Sequence, residues 1–243
     1  MPPSIKPTTI WPVVPKRLPT TLGFKRYALD FDGTDDYVEV PFSSSLDFGG
    51  MTELTVEMLC LLRSKGAERY TGRHIQFLIG YDNQDDSWAW WLHIGGAWVG
   101  LRGLEKTFTP KTGEWVHLCG VYDGSEMRMY VNGELDRSKA QTGGLDDADT
   151  MIAVGRRGTQ DLNYWDGFIA LVRIYTRPLT LEEIRRNMLE YHNPVRDGLV
   201  LWLHDSIVGD TWHDESGCGN DGVIHGAVRK ELAMWEVRAE LGL

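Results

Sequence analysis

The chain carries ten tryptophans in 243 residues, and six of them, Trp88, Trp90, Trp91, Trp98, Trp115 and Trp165, cluster in its middle. The chemistry open to such residues is sugar recognition: an exposed indole stacks on a sugar face, and its N–H donates at the rim of a cleft. Alternation along a strand puts Trp88 and Trp90 on one face and Trp91 with His93 on the other. One of those faces must be core, so packing is the commoner role for any single tryptophan here. The expected sugar platform is therefore Trp91, His93 and Trp98, with Asp85 and Asp86 at its edge. Bond-breaking chemistry finds less support. No Gly-x-Ser-x-Gly elbow and no His-Glu-x-x-His pair occurs, and the Asp and Glu clusters lie at turns, where carboxylates cap backbone N–H groups.

The elements that would position these residues are short strands. Leu54, Val56, Met58, Cys60 and Leu62 recur at period two, the signature of a half-buried strand. Further strands are expected at 75–79, 88–94, 115–122, 127–131, 152–154 and 168–175. Asp123-Gly124 turns one strand into the next, and Asn132-Gly133 is a two-residue hairpin signal. Thr180-Leu-Glu-Glu183 opens a short helix as a capping box, with Ile184, Met188 and Tyr191 as its apolar stripe and a stop near His192-Asn193-Pro194. Many short strands with glycine-rich turns predict an all-β fold, a two-sheet antiparallel sandwich with one helix after the last main strand.

Both ends read as appendages. Residues 1–22 hold six of the ten prolines and predict an extended arm. At the other end, Val228, Leu232, Trp235 and Ala239 recur at i, i+4, i+7 and i+11, which predicts an amphipathic helix over 227–243. Trp11, Leu232 and Trp235 are the expected anchors for protein contacts, because bulky side chains in peripheral segments make good interface residues.

Composition narrows the class. A 42% hydrophobic and 25% charged chain of this length suits one large domain with a full core. The formal net charge of -10, with no basic run longer than Arg156-Arg157 or Arg185-Arg186, argues against nucleic-acid binding. No run approaches a membrane span. Met1-Pro-Pro-Ser-Ile-Lys-Pro lacks an apolar h-region and is read as carrying no secretory signal. Of the three cysteines, Cys60 and Cys119 sit in apolar strand patterns and Cys218 in a turn. A small buried thiol is the expectation for the first two, and their pairing stays open.

Four ordered motifs carry a family resemblance: Ala28-Leu-Asp-Phe-Asp-Gly-Thr-Asp-Asp-Tyr-Val-Glu-Val40, Glu114-Trp-Val-His-Leu-Cys-Gly-Val-Tyr-Asp-Gly124, Met129-Tyr-Val-Asn-Gly-Glu134 and the run from Trp165 to Ile184. Over roughly residues 24–192 the chain resembles the laminin-G-like, concanavalin A-like lectin/glucanase jelly rolls, which implies a jelly-roll body over 23–192. Residues 193–226, with Asp197-Gly-Leu-Val-Leu-Trp-Leu203, resemble the segment that usually opens such domains, placed here at the end. That segment is expected either to close its own sandwich by permutation or to be exchanged with a neighbouring subunit. The family's glucanases carry a Glu-x-Asp-x-x-Glu strand, which this chain lacks. The resemblance also implies calcium as the one cofactor to consider, held by Asp30, Asp32, Asp35, Asp36 and Asp166. Against it, Ala170 and Leu171 stand where relatives have acidic residues. The two substitutions also predict that this strand's outer face is covered.

Taken together, these readings favour a non-catalytic structural or interaction protein on a virion surface or in another extracellular assembly. Its partners would be other proteins or further copies of itself. The alternative is a carbohydrate-binding adhesion module for cell-surface glycans, and a glycoside hydrolase is the third reading.

Overall fold

The computed structural model describes residues 26–74, 76–103 and 106–232. The sixteen strands are β1 (Arg26–Asp32), β2 (Tyr37–Val40), β3 (Leu54–Leu62), β4 (Arg69–Arg73), β5 (Phe77–Asp82), β6 (Ser87–Ile94), β7 (Ala97–Leu101), β8 (Trp115–Tyr122), β9 (Glu126–Val131), β10 (Glu134–Ala140), β11 (Ile152–Val154), β12 (Asp166–Tyr175), β13 (Leu199–Val208), β14 (Thr211–Asp214), β15 (Gly222–His225) and β16 (Val228–Leu232). One helix, α1 (Leu181–Leu189), follows β12. Every named pairing is antiparallel, and the strand path runs β10-β9-β8-β3-β12-β13-β14-β15-β2-β11-β4-β5-β6-β7. The path doubles back through β14 and β15, so the β4–β7 half lies over the β3–β8–β12 half as in a jelly roll.

The packing between the halves shows why the alternation falls as it does. Trp88 and Trp90 of β6 point inward into the main core with Met58, Leu118, Val172 and Leu203. Trp90 is fully buried and lies flat on Gly120 of β8, where a Cβ would stand 2.4 Å from an indole carbon. Only glycine leaves room for that ring, because interiors are packed at crystal density. Replacing Gly120 with Ala should therefore cost about 1–3 kcal/mol by overpacking, read as a lower urea midpoint with an unchanged slope.

The outer face of the β3–β8–β12 layer is covered as well, by α1 and the chain that follows it. This is why β3 is buried along nearly its whole length rather than on alternate residues. Ala170 and Leu171 are buried here, and the Tyr191 hydroxyl donates to the Ala170 carbonyl at 2.7 Å. The capping box of α1 forms as expected: the Glu183 N–H donates to the Thr180 hydroxyl and the Thr180 N–H to the Glu183 carboxylate. Its buried face differs from the expected stripe. Ile184 is buried, but Met188 is only half-buried and Tyr191 lies past the helix end, whereas Asn187 is sealed in. Asn187 donates to Glu57 and to the Tyr175 hydroxyl, both at 2.9 Å, and accepts the Val195 N–H. A polar residue replaces an apolar one because buried Glu57 and Arg173 lie beneath the helix.

In the chain's last third, β13 pairs with β12 and β15 with β2 of the same chain. The segment expected to begin a C-terminal helix is instead strand β16, paired with β1 from Arg26↔Leu232 to Asp30↔Val228. The i, i+4 spacing of Val228 and Leu232 also fits one face of a strand, and the free edge of β1 supplies hydrogen bonds that an isolated helix turn could not match. Leu232 packs against the outer cluster that holds Ala28 and Trp202. Trp11, Trp235 and the arm at 1–22 lie outside the described residues. Cys60 and Cys119 are free and face opposite sides of the layer, one in each cluster; burial pushes both thiols well above their ordinary range.

Candidate functional site

On the outward face of β4–β7, Trp91 and Trp98 flank an open groove of about 240 Å³. Register brings them together: His93 lies opposite Trp98 and Trp91 opposite Gly100 across the β6–β7 pair. Leu78 and Tyr70 line the groove and form, with Ala89, a small outer cluster against which both tryptophans pack. A Cβ on Gly100 would sit 2.4 Å from Trp91 Cε3, so the missing side chain lets the indole lie down over β7.

Polar groups converge on the aromatic floor. The groove is lined by Glu68, Asp82, Gln84, Arg102 and Arg157 besides its aromatic residues. The Tyr70 hydroxyl donates to Asp82 Oδ2 at 3.1 Å, and the Gln84 N–H donates to Asp82 Oδ1 at 3.0 Å. Arg102 donates to Gln84 Oε1 at 2.8 Å and stands 3.6 Å from Asp82 and 3.7 Å from Asp85. Its guanidinium also sits 5.1 Å from the Trp91 ring centre, while that of Arg157 sits 5.5 Å from Trp98. Glu68 accepts from Gln84 and from Asn163. Burial, with the negative charges of Asp82 and Glu68 next, drives the Tyr70 hydroxyl far above its usual range, so it remains a donor.

The structure thus unites Trp91 and Trp98, and brings Asp85 to their edge through Arg102. His93 contributes differently: its ring meets Trp98 edge-on at 5.0 Å while Nδ1 lies 2.5 Å from Asp146. Asp146 also accepts the Gly95 and Gly96 N–H groups, so His93 supports the β6–β7 turn behind the platform. Asp86 turns away, to Lys65 at 2.8 Å and to the hydroxyl of core-facing Tyr81. Sequence reasoning missed Glu68, Tyr70, Asp82, Gln84, Arg102 and Arg157. Arg157 enters from the β11–β12 loop, and no local pattern marks it.

The five expected calcium ligands are divided. Arg63 bridges Asp30 and Asp166, with a 2.7 Å contact to the latter, and the Ser64 hydroxyl donates to Asp166 as well. These two carboxylates already share one guanidinium, which would have to move aside before both could take a cation. Carboxylate oxygens of Asp32, Asp35 and Asp36 do converge within 4.8 Å. Burial first, then its acidic neighbours, raise the Asp36 carboxyl against an opposing bond from the Asp32 N–H. This trio fits a hard cation in donor type. None of its members lines the groove.

The jelly-roll topology agrees with comparison to known proteins. A family model described as the concanavalin A-like lectin/glucanases superfamily matches residues 32–185. The chain belongs to this superfamily. Among solved structures of the same fold, a candidate carbohydrate-binding protein from Bacteroides ovatus superposes with a TM-score of 0.68 at 21% identity, covering 86% of this chain and 60% of that one. The present chain therefore spans about 60% of the length of that relative. A heptameric SAP-like pentraxin from Limulus polyphemus gives a TM-score of 0.59 at 14% identity, covering 88% of this chain and 98% of that one. Domain 4 of the extracellular GH43 arabinanase AbnA from Geobacillus stearothermophilus, solved with arabinotriose, gives 0.50 at 19% identity, covering 67% and 80%. No curated protein matches in sequence.

Proposed function

We propose that this chain is a non-catalytic carbohydrate-binding module whose ligand lies in the Trp91–Trp98 groove. The observation that carries the reading is the pairing of two half-exposed indoles with a fixed polar rim. A sugar presents apolar C–H faces to the rings and hydroxyls to Asp82, Gln84, Arg102 and Glu68, which offer both donors and acceptors. The carbohydrate-binding character of structural relatives supports the same reading. Catalysis is disfavoured by chemistry: glycoside cleavage needs one carboxylic acid ready to donate a proton and a second carboxylate free to act. Here Asp82 and Glu68 are each held as acceptors by two donors.

The reading of a role in protein assembly, on a virion or elsewhere, draws on the arm at 1–22, the segment 227–243, the transposed segment 193–226 and the apolar Ala170 and Leu171. Of its expected anchors, Leu232 packs on this chain's own outer cluster, and Trp11 and Trp235 lie outside the described residues. No described helix is long and apolar enough to cross a membrane. The deciding experiment is calorimetry of the purified chain against neutral oligosaccharides, arabinotriose included. Saturable binding is expected, weakened about tenfold or more by Trp91→Ala and again by Trp98→Ala. Folded variants that bind as the parent does would refute the proposal.

A further inference from the structure

A second cluster lies far along the chain from the groove residues, where the loop after α1 meets β13. His204 is 7% exposed, and neither ring nitrogen has a hydrogen-bond partner among the described residues. Such a group is uncommon, because buried imidazole nitrogens are nearly always satisfied. Its neighbours are metal-ligating in type. His204 Nδ1 stands 3.9 Å and His192 Nε2 3.5 Å from the same oxygen, Asp205 Oδ2. The His204 separation is too long for a hydrogen bond. Both separations are near the edge of a tetrahedron with metal–ligand bonds of about 2.0–2.1 Å, which is roughly 3.3–3.4 Å.

The surroundings hold these groups in place. Asp205 Oδ1 accepts the Tyr27 N–H at 2.8 Å, which directs Oδ2 toward the two rings. Trp202 stacks on the His204 ring at 4.2 Å and 14°, and the Trp212 indole N–H donates to the His204 carbonyl. Outer partners of this kind orient ligands in protein metal sites. His192 is the exposed member and leaves a path for entry.

We propose that His192, His204 and Asp205 form a binding site for a divalent transition-metal ion, with zinc as the fitting ion, that staples the post-helix loop to the closing strand. Two imidazoles and one carboxylate suit zinc and leave a fourth position to water. Through Tyr27 the ion ties β1 to the same point, so its effect is on stability.

The test uses the purified chain after dialysis against a chelator. Calorimetric titration with zinc chloride should show uptake at this site, and zinc at a hundred times its Kd should raise the melting temperature by about 5–10 °C. His192→Ala, which alters an exposed side chain, and Asp205→Asn, which keeps an acceptor for Tyr27, should each weaken binding at least about tenfold. Excess calcium should leave the zinc isotherm unchanged, because hard cations avoid nitrogen donors. Absence of zinc binding, or equal affinity in both variants and the parent, would overturn the assignment. Neither variant touches the groove, so sugar binding is read independently.

Discussion

Arg173→Met should lower the stability of this protein by about 3–5 kcal/mol, the cost of leaving a buried charge without its partner. Arg173 is fully buried, 3.4 Å from equally buried Glu57, and donates to the Asn187 and Tyr191 carbonyls at 3.3 and 2.6 Å. His117 stands 3.5 Å from the other Glu57 oxygen. Methionine fills similar volume but supplies no charge and no donor. Burial pushes the Glu57 carboxyl upward, yet the contacts from His117, Arg173 and Asn187 together hold it below its usual value. The sign follows from that direction. In the parent, this group adds stability above its unfolded pKa, near 4.5, and the contribution fades as pH falls through the lower folded value. In Arg173→Met, burial dominates and Glu57 takes up a proton on folding. The stability gap between variant and parent should therefore shrink between pH 7 and pH 4. Urea titrations at both values would show it; a gap of equal size at the two pH values, or none at pH 7, would contradict the account. Adding Glu57→Gln to the variant should recover part of the loss, because no buried charge is then left alone.

Gly100→Val should abolish most of the sugar affinity while leaving the fold intact. The new Cβ would lie 2.4–2.5 Å from Trp91 Cε3 and Cζ3, so the indole must lift from the floor of the groove. Gly100 is half-buried in β7, its backbone is not in the left-handed region, and valine suits a strand. Affinity should fall about tenfold or more, the equivalent of about 1.4 kcal/mol of lost stacking, with the urea midpoint close to that of the parent. Gly66→Ala, where open space surrounds the position, is the matched control. Parental affinity in a folded Gly100→Val chain would separate Trp91 from ligand recognition.

Some of this architecture could be read directly because its cause is local. The capping box from Thr180 to Glu183 needs one turn of helix, and the Asn132-Gly133 hairpin needs two residues with positive φ, found at 50° and 75°. Alternation of Trp88 and Trp90 against Trp91 follows from the pleat alone. What alternation cannot say is which face is inside. That was settled by Gly120, thirty residues on from Trp90, whose bare backbone receives the ring.

The groove and the ion pairs were legible only in part for the same reason. Arg102 reaches back across a turn to Gln84 and Asp82, whereas Arg157 comes from another part of the chain. Arg63 engages Asp30 and Asp166, 33 and 103 residues away, two carboxylates that looked like cation ligands. Asn187 could be recognised as a core residue only once Glu57 was known to lie beneath it. Val228 to Leu232 had the spacing of a helix face, and the free edge of β1 drew it into a strand instead.

Strand periodicity, caps, turns and an all-β class were legible in the residues themselves, since each depends on steric and hydrogen-bonding preferences within a few residues. The jelly-roll class, by contrast, was implied by the resemblance of four ordered motifs to a known family. Tertiary structure alone decided which indoles face solvent, which carboxylates are already paired and where the last described strand docks. Those outcomes depend on charges and bare backbone brought together from distant positions, and a linear pattern carries no record of that proximity.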